Sequence, residues 1–434
     1  MPFSSTNFSG SVLVDPRNFS WCSITPTKAA IAFTGFTVAG DATSPRKMFV
    51  QIVNFNGKAA PTYGPVCAVA NLSYKDPFSR VKICRLSATR LLLAYVESMS
   101  GTTNYSLSSL NIDAQDQVTL GFKSPNLISV SLANSPLDIA FIADNKAVLS
   151  YFNGSINSPL YVLTASDTAF TIASTIAKSI NISGGVNPQS LYGAAFRRDK
   201  KGQLTVIRLF RSSTTAGSYY YYTQVDMFDT TGKNIVSATM PTSVADADGY
   251  NKGRDIIPID EKTLLALASI SNAGTSSTAA TVFHYAQLTV PAHNGTSAAQ
   301  GITLNGEHVP YRDPIPVRFE DVVWLDDNYF FAVASRNKDL TDTTTLVGGI
   351  TNYNAAVYSE TLYDQAAFIG KYDVAANSII QADRFPIPLG LSISSSQNDP
   401  RIIHKIDAQN VALLQCVRNS ANTGFEFNVT VVGA

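Results

Sequence analysis

Seven segments of this 434-residue chain repeat one pattern, and that repetition restricts its fold more than any other feature. The clearest copy is PLDIAFIADNKAVLSY, Pro136 to Tyr151. An apolar run ends on Ile142, a polar turn spans Ala143 to Lys146, and a second apolar run occupies Val148 to Tyr151. Two short apolar runs joined by a tight polar turn read as a β-hairpin. Laying the other copies on the same last apolar residue gives Ile24, Leu86, Phe196, Ile259, Leu325 and Ile406 as anchors. Polar turns follow each of them, among them Arg197 to Gly202, Asp260 to Lys262, Asp326 to Asn328 and Asp407 to Asn410. Successive anchors lie about 62, 56, 54, 63, 66 and 81 residues apart, longer than the ~40 to 50 of compact repeats but too regular for unrelated hairpins.

The chain offers no linker, charge block or low-complexity break at which to divide it, so one large repeat domain is expected. Hydrophobic residues make up 45% of it and charged residues only 15%, a β-rich balance with ample material for a core. Helical periodicity is nearly absent, and Asn354 to Gln365 is the best candidate for a short helix. With 32 basic and 32 acidic residues the formal net charge is zero, which argues against a nucleic-acid partner held through phosphates. No apolar core follows Met1 and no run approaches a membrane span, so the expectation is synthesis in the cytoplasm without a signal peptide and no membrane insertion.

Taken in order, the units span roughly 15–75, 76–130, 131–185, 186–245, 246–310, 311–390 and 391–434. Each holds strand-like runs separated by Gly, Pro and polar turns. In the first these are Trp21 to Ile24, Ala30 to Thr34, Met48 to Asn54 and Val66 to Ala70. Four such strands are the content of one propeller blade. The sixth unit carries a long insertion, Asn337 to Asp364, which accounts for the widest anchor spacing. The last unit supplies only three strands, and Ser11 to Val14, within 9–14, is a spare strand at the other end, behind a polar Met1 to Phe8 expected to be loose. This arrangement resembles the terminal closure of the seven-bladed β-propeller family. The resemblance implies an all-β, seven-bladed β-propeller with four-stranded blades, closed by pairing of the N- and C-terminal strands, which would remove an exposed sheet edge. A pair of β-sandwiches is the alternative, disfavoured by the lack of a midpoint break.

Residues that could carry chemistry are sparse. Cys22, Cys67, Cys84 and Cys416 show no CxxC spacing, and three fall in strands, where cysteine behaves as a small buried hydrophobe. The eight sequons, at Asn7, Asn18, Asn71, Asn104, Asn153, Asn181, Asn294 and Asn428, follow from abundant Asn, Ser and Thr. His284, His293, His308 and His404 have no metal-ligand spacing and read as surface or strand polar residues. Asp246 and Asp248 look like a fragment of a calcium loop without its closing Glu, so a solvated turn is the plainer reading and no metal or cofactor is expected. Glu320-Asp321 and Asp326-Asp327 would be the carboxylates of a propeller glycosidase, although Asp326-Asp327 falls in a hairpin turn. Gly184-Gly185 and Gly348-Gly349 precede no helix that would make a phosphate loop. The run Tyr219, Tyr220, Tyr221, Tyr222 is the candidate ligand-binding feature: alternation turns two tyrosines outward, where they could stack on a sugar or anchor a partner, against the plainer reading of inter-blade packing. The adjacent Arg197, Arg198, Lys200 and Lys201 read as a solvated basic hairpin tip.

With few converging ionisable groups, an enzyme is not expected. A propeller that fills its chain, with neutral charge and a Ser-, Thr-, Asn- and Gly-rich surface, resembles bacteriophage tail and other virion structural proteins. That resemblance implies a non-enzymatic, virion-located tail or capsid-associated component, forming a homo-oligomer or symmetric assembly. Its partners would be other virion structural proteins and, through Thr214 to Ser218, Asn272 to Ser277 and the sixth-unit insertion, a host-surface glycan. A stand-alone carbohydrate-binding lectin is the alternative, and a glycosidase the third reading.

Overall fold

The computed structural model describes residues 3–8, 13–36, 46–71, 81–99, 103–130, 137–151, 160–176, 188–213, 219–239, 256–260, 263–271, 281–289, 300–301, 303–313, 317–337, 363–373, 375–376, 378–386, 403–418 and 425–433. These form six sheets of mostly antiparallel and mostly sequential strands. The second sheet runs from an inner strand, Val81–Ser87, through Arg90–Met99 and Thr103–Ile112 to an outer one, Val118–Val130. The third (Leu137–Ala143 to Phe170–Ile176), the fifth (Ile256–Pro258 to Thr303–Asp313) and the sixth (Val317–Trp324 to Ser378–Pro386) repeat this four-stranded meander. The fourth, starting at Pro188–Arg198, adds a fifth strand, Gln300–Gly301, paired in parallel to its edge.

Strand alternation explains why these sheets stack. In the second sheet Val81, Ile83, Leu91 and Leu93 pack against Ile24, Ala30 and Val50 of the first. Their neighbours Cys84, Leu86, Leu92 and Ala94 point the other way, onto Leu137, Ile139 and Leu149 of the third. A strand that buries both faces reads as a continuous apolar run, and each sheet must find two partners. The third packs on the fourth through Ile142, Val148, Phe196 and Val206. The inner strands of the fourth and fifth are in contact, the second strand of the fifth touches the inner strand of the sixth, and Trp324 Nε1 donates to the Pro258 carbonyl at 2.9 Å. Phe331 and Val333 of the sixth meet Val411 and Leu413 of the first. Packing therefore runs round a central axis, and the fold is a β-propeller.

The first sheet corrects two expectations. It has nine strands and contains both the first and the last repeat units, so the propeller has six hydrogen-bonded blades where seven were expected. Among the described residues Leu13–Thr25 meets Phe425–Gly433 at the pair Val14 with Phe425, and beyond that crease the two halves of the sheet face one another. Trp21, Phe33 and Phe49 on one side pack against Leu414, Phe427 and Val429 on the other. The Phe33 ring stacks on Phe49 at 5.6 Å and meets Phe427 edge-on at 5.3 Å. Nor does Ser11 to Val14 complete a separate last blade. Residues 11 and 12 lie outside the described residues, and Phe3–Phe8, expected to be loose, pairs with Phe427 to Val432 instead. The ring closes by face packing, while the terminal pairing stays within one sheet. Six consecutive pairs run from Phe3–Val432 to Phe8–Phe427, and Val14–Phe425 continues along the same edge among the described residues.

The hairpins end on local side-chain chemistry. Asp113, Asp199, Asp229, Asp326, Asp373 and Asp407 each accept, through Oδ1, the backbone N–H two residues on, at 2.7–2.9 Å. Such Asx turns reverse the chain without sheet partners. In Asp199-Lys-Lys-Gly202 the glycine supplies the left-handed φ of +81° that the turn requires. Asp116 takes the equivalent place after Asp113 with φ 60°, and its carboxylate ties two sheets by accepting from Lys28 Nζ at 2.5 Å and Asn54 Nδ2 at 2.7 Å. The candidate helix Asn354 to Gln365 is not one where it can be seen: Tyr363–Asp373 is a strand, and 354–362 lie outside the described residues.

Candidate functional site

All seven anchors are buried, between 0% and 6% exposed, at the ends of inner strands. The residue before an anchor therefore points the opposite way, toward the axis. Ser23, Arg85, Phe141, Trp324 and Lys405 occupy that position and line a cavity of ≈ 800 Å³ at the turn-bearing end of the axis. In the fourth sheet the strand continues two residues past Phe196 and turns at Asp199. Arg198 and Lys200 of this hairpin line the same cavity, which corrects the reading of a merely solvated basic tip.

Arg197 departs from that reading further. It is 2% exposed and crosses from the fourth sheet to an ion pair with Asp321 of the sixth at 3.6 Å. Asp321 also accepts from the backbone N–H of Val322 through Oδ1 and of Ile403 through Oδ2, both at 2.9 Å. Ser20 holds the same place, four residues before its anchor, and accepts from Ile83 N–H of the next sheet at 3.1 Å. Asp138, at the matching position, takes Lys82 Nζ at 3.3 Å. These groups are sheet-to-sheet ties. A third buried pair, Arg208 Nη2 to Asp226 Oδ2 at 2.8 Å, joins neighbouring strands of the fourth sheet.

Nearer the mouth, cations lie on aromatic faces. The Arg85 guanidinium is 4.0 Å from the Phe141 ring centroid and donates to the Ile24 carbonyl at 2.6 Å. Arg198 is 5.5 Å from the same ring and donates to the carbonyls of Phe141 and Gly202, both at 2.6 Å. Lys200 Nζ sits 4.7 Å from both the Trp324 and Tyr372 centroids and donates to the Asp327 carbonyl. Burial pushes its ammonium below the ordinary value, against the pull of Asp327, Asp260 and Asp326. Lys405 is lowered in the same way by burial, opposed by Asp326, Asp327 and Asp407.

His404, expected at the surface or as an ordinary strand polar residue, is 0% exposed. It stacks on Phe55 at 4.6 Å within the creased sheet. Its Nε2–H donates to the Pro26 carbonyl at 2.9 Å, leaving Nδ1 to accept from the Ser23 hydroxyl at 2.8 Å. A serine on the cavity wall bonded to an oriented imidazole is the outline of a nucleophile and base. Burial, however, lowers the imidazole pKa to about 4, so it holds a proton poorly at neutral pH.

Of the other candidates, Tyr219 to Tyr222 begin the strand Tyr219–Phe228, paired with Ser213 to Phe210, but their side chains lie outside the described residues. So do Asp246, Asp248, the Glu320 and Cys416 side chains, 214–218, 272–277 and the bulk of the sixth-unit insertion. Cys22, Cys67 and Cys84 are buried thiols, as their strand positions suggested. Among the described residues no group of three or more His, Cys, Asp or Glu could hold a metal ion, and no helix is long and apolar enough to cross a membrane. Arg85, Phe141, Trp324 and Lys405 were missed because the repeats were aligned on the anchor alone; the position before it carries the signal.

Ring and axial cavity together define a β-propeller protein with a polar, aromatic-lined funnel. No protein-family model matches the chain, and no curated protein sequence does. Among solved structures it is similar to the Nup133 β-propeller domain of Vanderwaltozyma polyspora, at 11% identity over 95% of this chain and 100% of that one, with a TM-score of 0.37. It is also similar to β-fructofuranosidase from Schwanniomyces occidentalis (11% identity, 100% and 94% covered, TM-score 0.33). A third is α-L-arabinanase from Penicillium chrysogenum (10%, 76% and 90%, TM-score 0.36). Likeness at this level bears on neither substrate nor partner.

Proposed function

We propose that this chain is a non-enzymatic structural and binding component of a larger assembly, a virion particle being the setting that its sequence resembles. Its contacts are with other structural proteins of that particle, in symmetric copies, and with a host-surface glycan through loops. The observation that supports this reading is the use made of ionisable groups at the axis: Asp321, Arg197, Lys82 and Asp138 join sheets, and His404 is buried neutral between the halves of the creased sheet. A catalytic funnel needs an acid and a base turned toward substrate with pKa values near the working pH. Of the carboxylates that sequence nominated, Asp321 is 4% exposed and accepts two backbone N–H groups, and Asp326 accepts the N–H groups of its own turn. Such an axle makes a rigid disc, and a rigid disc with loop-bearing faces suits an assembly unit.

Density-gradient sedimentation of a lysate from the native source, with mass spectrometry of each fraction, tests the proposal. Co-migration with large particles at fixed stoichiometry to neighbouring proteins is the expected result. Recovery among slowly sedimenting soluble proteins alone would refute it.

A further inference from the structure

Two tyrosines of the third sheet stand in a relation that the assembly reading does not use. Tyr151 closes the strand Lys146–Tyr151, and Tyr161 lies near the start of the next, Leu160–Ala165. In the antiparallel register Tyr161 is opposite Leu149, so Tyr151, two residues on, shares its face as a diagonal neighbour. Both rings pack against the cluster between the second and third sheets that includes Tyr105, Leu107 and Leu163. This packing holds them from one side, and each remains half-buried.

The rings are 5° from parallel with centroids 5.0 Å apart, and the Tyr151 hydroxyl donates to the Tyr161 oxygen at 2.9 Å. Hydroxyls nearer to each other than the ring centres mean that the rings converge toward their oxygen ends. Those ends carry the ortho carbons, where a phenoxyl radical places much of its unpaired electron. Packing asks only that two rings touch; here the ends that would react meet as well. Burial, then the hydrogen bond to Tyr161, hold the Tyr151 phenol above its ordinary value. It stays protonated at neutral pH, so its oxidation releases an electron and a proton together.

We propose that Tyr151 and Tyr161 form a site of oxidative cross-linking, joined as dityrosine when the protein meets hydrogen peroxide and a haem-peroxidase type of one-electron oxidant. Each phenol gives up one electron and one proton. The two phenoxyl radicals couple through one ortho carbon of each ring, forming one C–C bond, and the hydrogens on those carbons pass to the oxygens as aromaticity returns. The two electrons and two protons reduce one hydrogen peroxide to two waters. Like a disulfide, the link restricts the unfolded chain, and thiols do not reverse it. It draws on none of the assembly contacts, which sedimentation tests separately.

Oxidation of the dilute full chain, followed by peptide mapping with mass spectrometry, tests the proposal. The oxidants are a haem peroxidase with hydrogen peroxide and, in parallel, a photo-activated ruthenium complex with persulfate, small enough to reach half-buried rings. With either oxidant the expected product is a monomeric chain with dityrosine fluorescence and a cross-linked peptide joining Tyr151 to Tyr161, two hydrogens lighter than its parts. Tyr151→Phe and Tyr161→Phe each abolish that peptide, and Tyr329→Phe, in the sixth sheet, leaves it unchanged. Unfolding the wild type in urea before oxidation lowers its yield by ~10-fold, because the pair is then no longer held together. Dityrosine confined to other tyrosines, or none with either oxidant, overturns the proposal. Equal yield from the folded and unfolded chains overturns it too, since nearness in sequence would then suffice.

Discussion

Acidification should loosen the crease between the two halves of the nine-stranded sheet, and His404 sets the size of the effect. Its imidazole lies within the aromatic packing of that crease, stacked on Phe55 and edge-on to Trp21 at 6.1 Å. Burial lowers its pKa from 6.5 to about 4. Between those values the unfolded chain binds a proton that the folded chain does not, so stability rises with pH across the window. The contribution of His404 is complete above pH 6.5 and is lost as the pH falls toward about 4. Each pH unit is worth about 1.4 kcal/mol, and the whole window about 3 kcal/mol. The adjacent Asp407 titrates in both the wild type and His404→Gln, and cancels in the difference between them. Urea unfolding of both chains at about pH 7, 5.5 and 4 measures that difference directly. The wild type should lose ~3 kcal/mol relative to the variant over this range. A difference that stays constant to within about 0.5 kcal/mol would refute a neutral, buried His404.

Replacing Asp321 by Ala should cost ~3–5 kcal/mol in urea unfolding, because Arg197 loses its buried counter-ion and two N–H groups lose their acceptor; a cost under about 1 kcal/mol would mean that the tie carries no stability. Gly370 pairs with Phe330, and a Cβ there would stand 2.0 Å from the ring. Gly370→Ala should destabilise by ~1–3 kcal/mol, and Phe330→Leu should relieve part of that loss in the double variant; strict additivity would exclude the clash. Deleting residues 1–8 should bare the edge that Phe425–Gly433 shares with Phe3–Phe8 and produce oligomers in light scattering. A monomer with unchanged melting would show that the edge needs no cover.

Hairpins were legible because they are local. An apolar run, an Asp-led turn and another apolar run specify strand, Asx turn and strand with no help from the rest of the chain, and Leu325-Asp326 and Ile406-Asp407 behave as read. Phe196 misled by two residues because Arg197 and Arg198 look like turn residues; strand alternation buries the first and leaves the second exposed at the cavity. Blade count was not legible, since hydrogen bonding across Val14–Phe425 merges two units whose sequences are unaware of each other. FSSTNF, Phe3–Phe8, carries the polar composition of a loop and is a strand because Phe425–Gly433 presents an edge to it. His404 looked like an ordinary polar residue because its partners, Ser23 and Pro26, stand 381 and 378 positions away.

That separation bears on how the chain is made. Trp21, Phe33 and Phe49 emerge well before Phe427 and Val429, which help to cover them. At ~5–20 residues per second, roughly 20 to 80 s pass before those residues exist. During that interval an aromatic face with all its own strands present has nothing to pack against, and wrong partners, including the same face on a neighbouring nascent chain, compete for it. The crease in the first sheet therefore makes the earliest-built part of the ring the last to be finished.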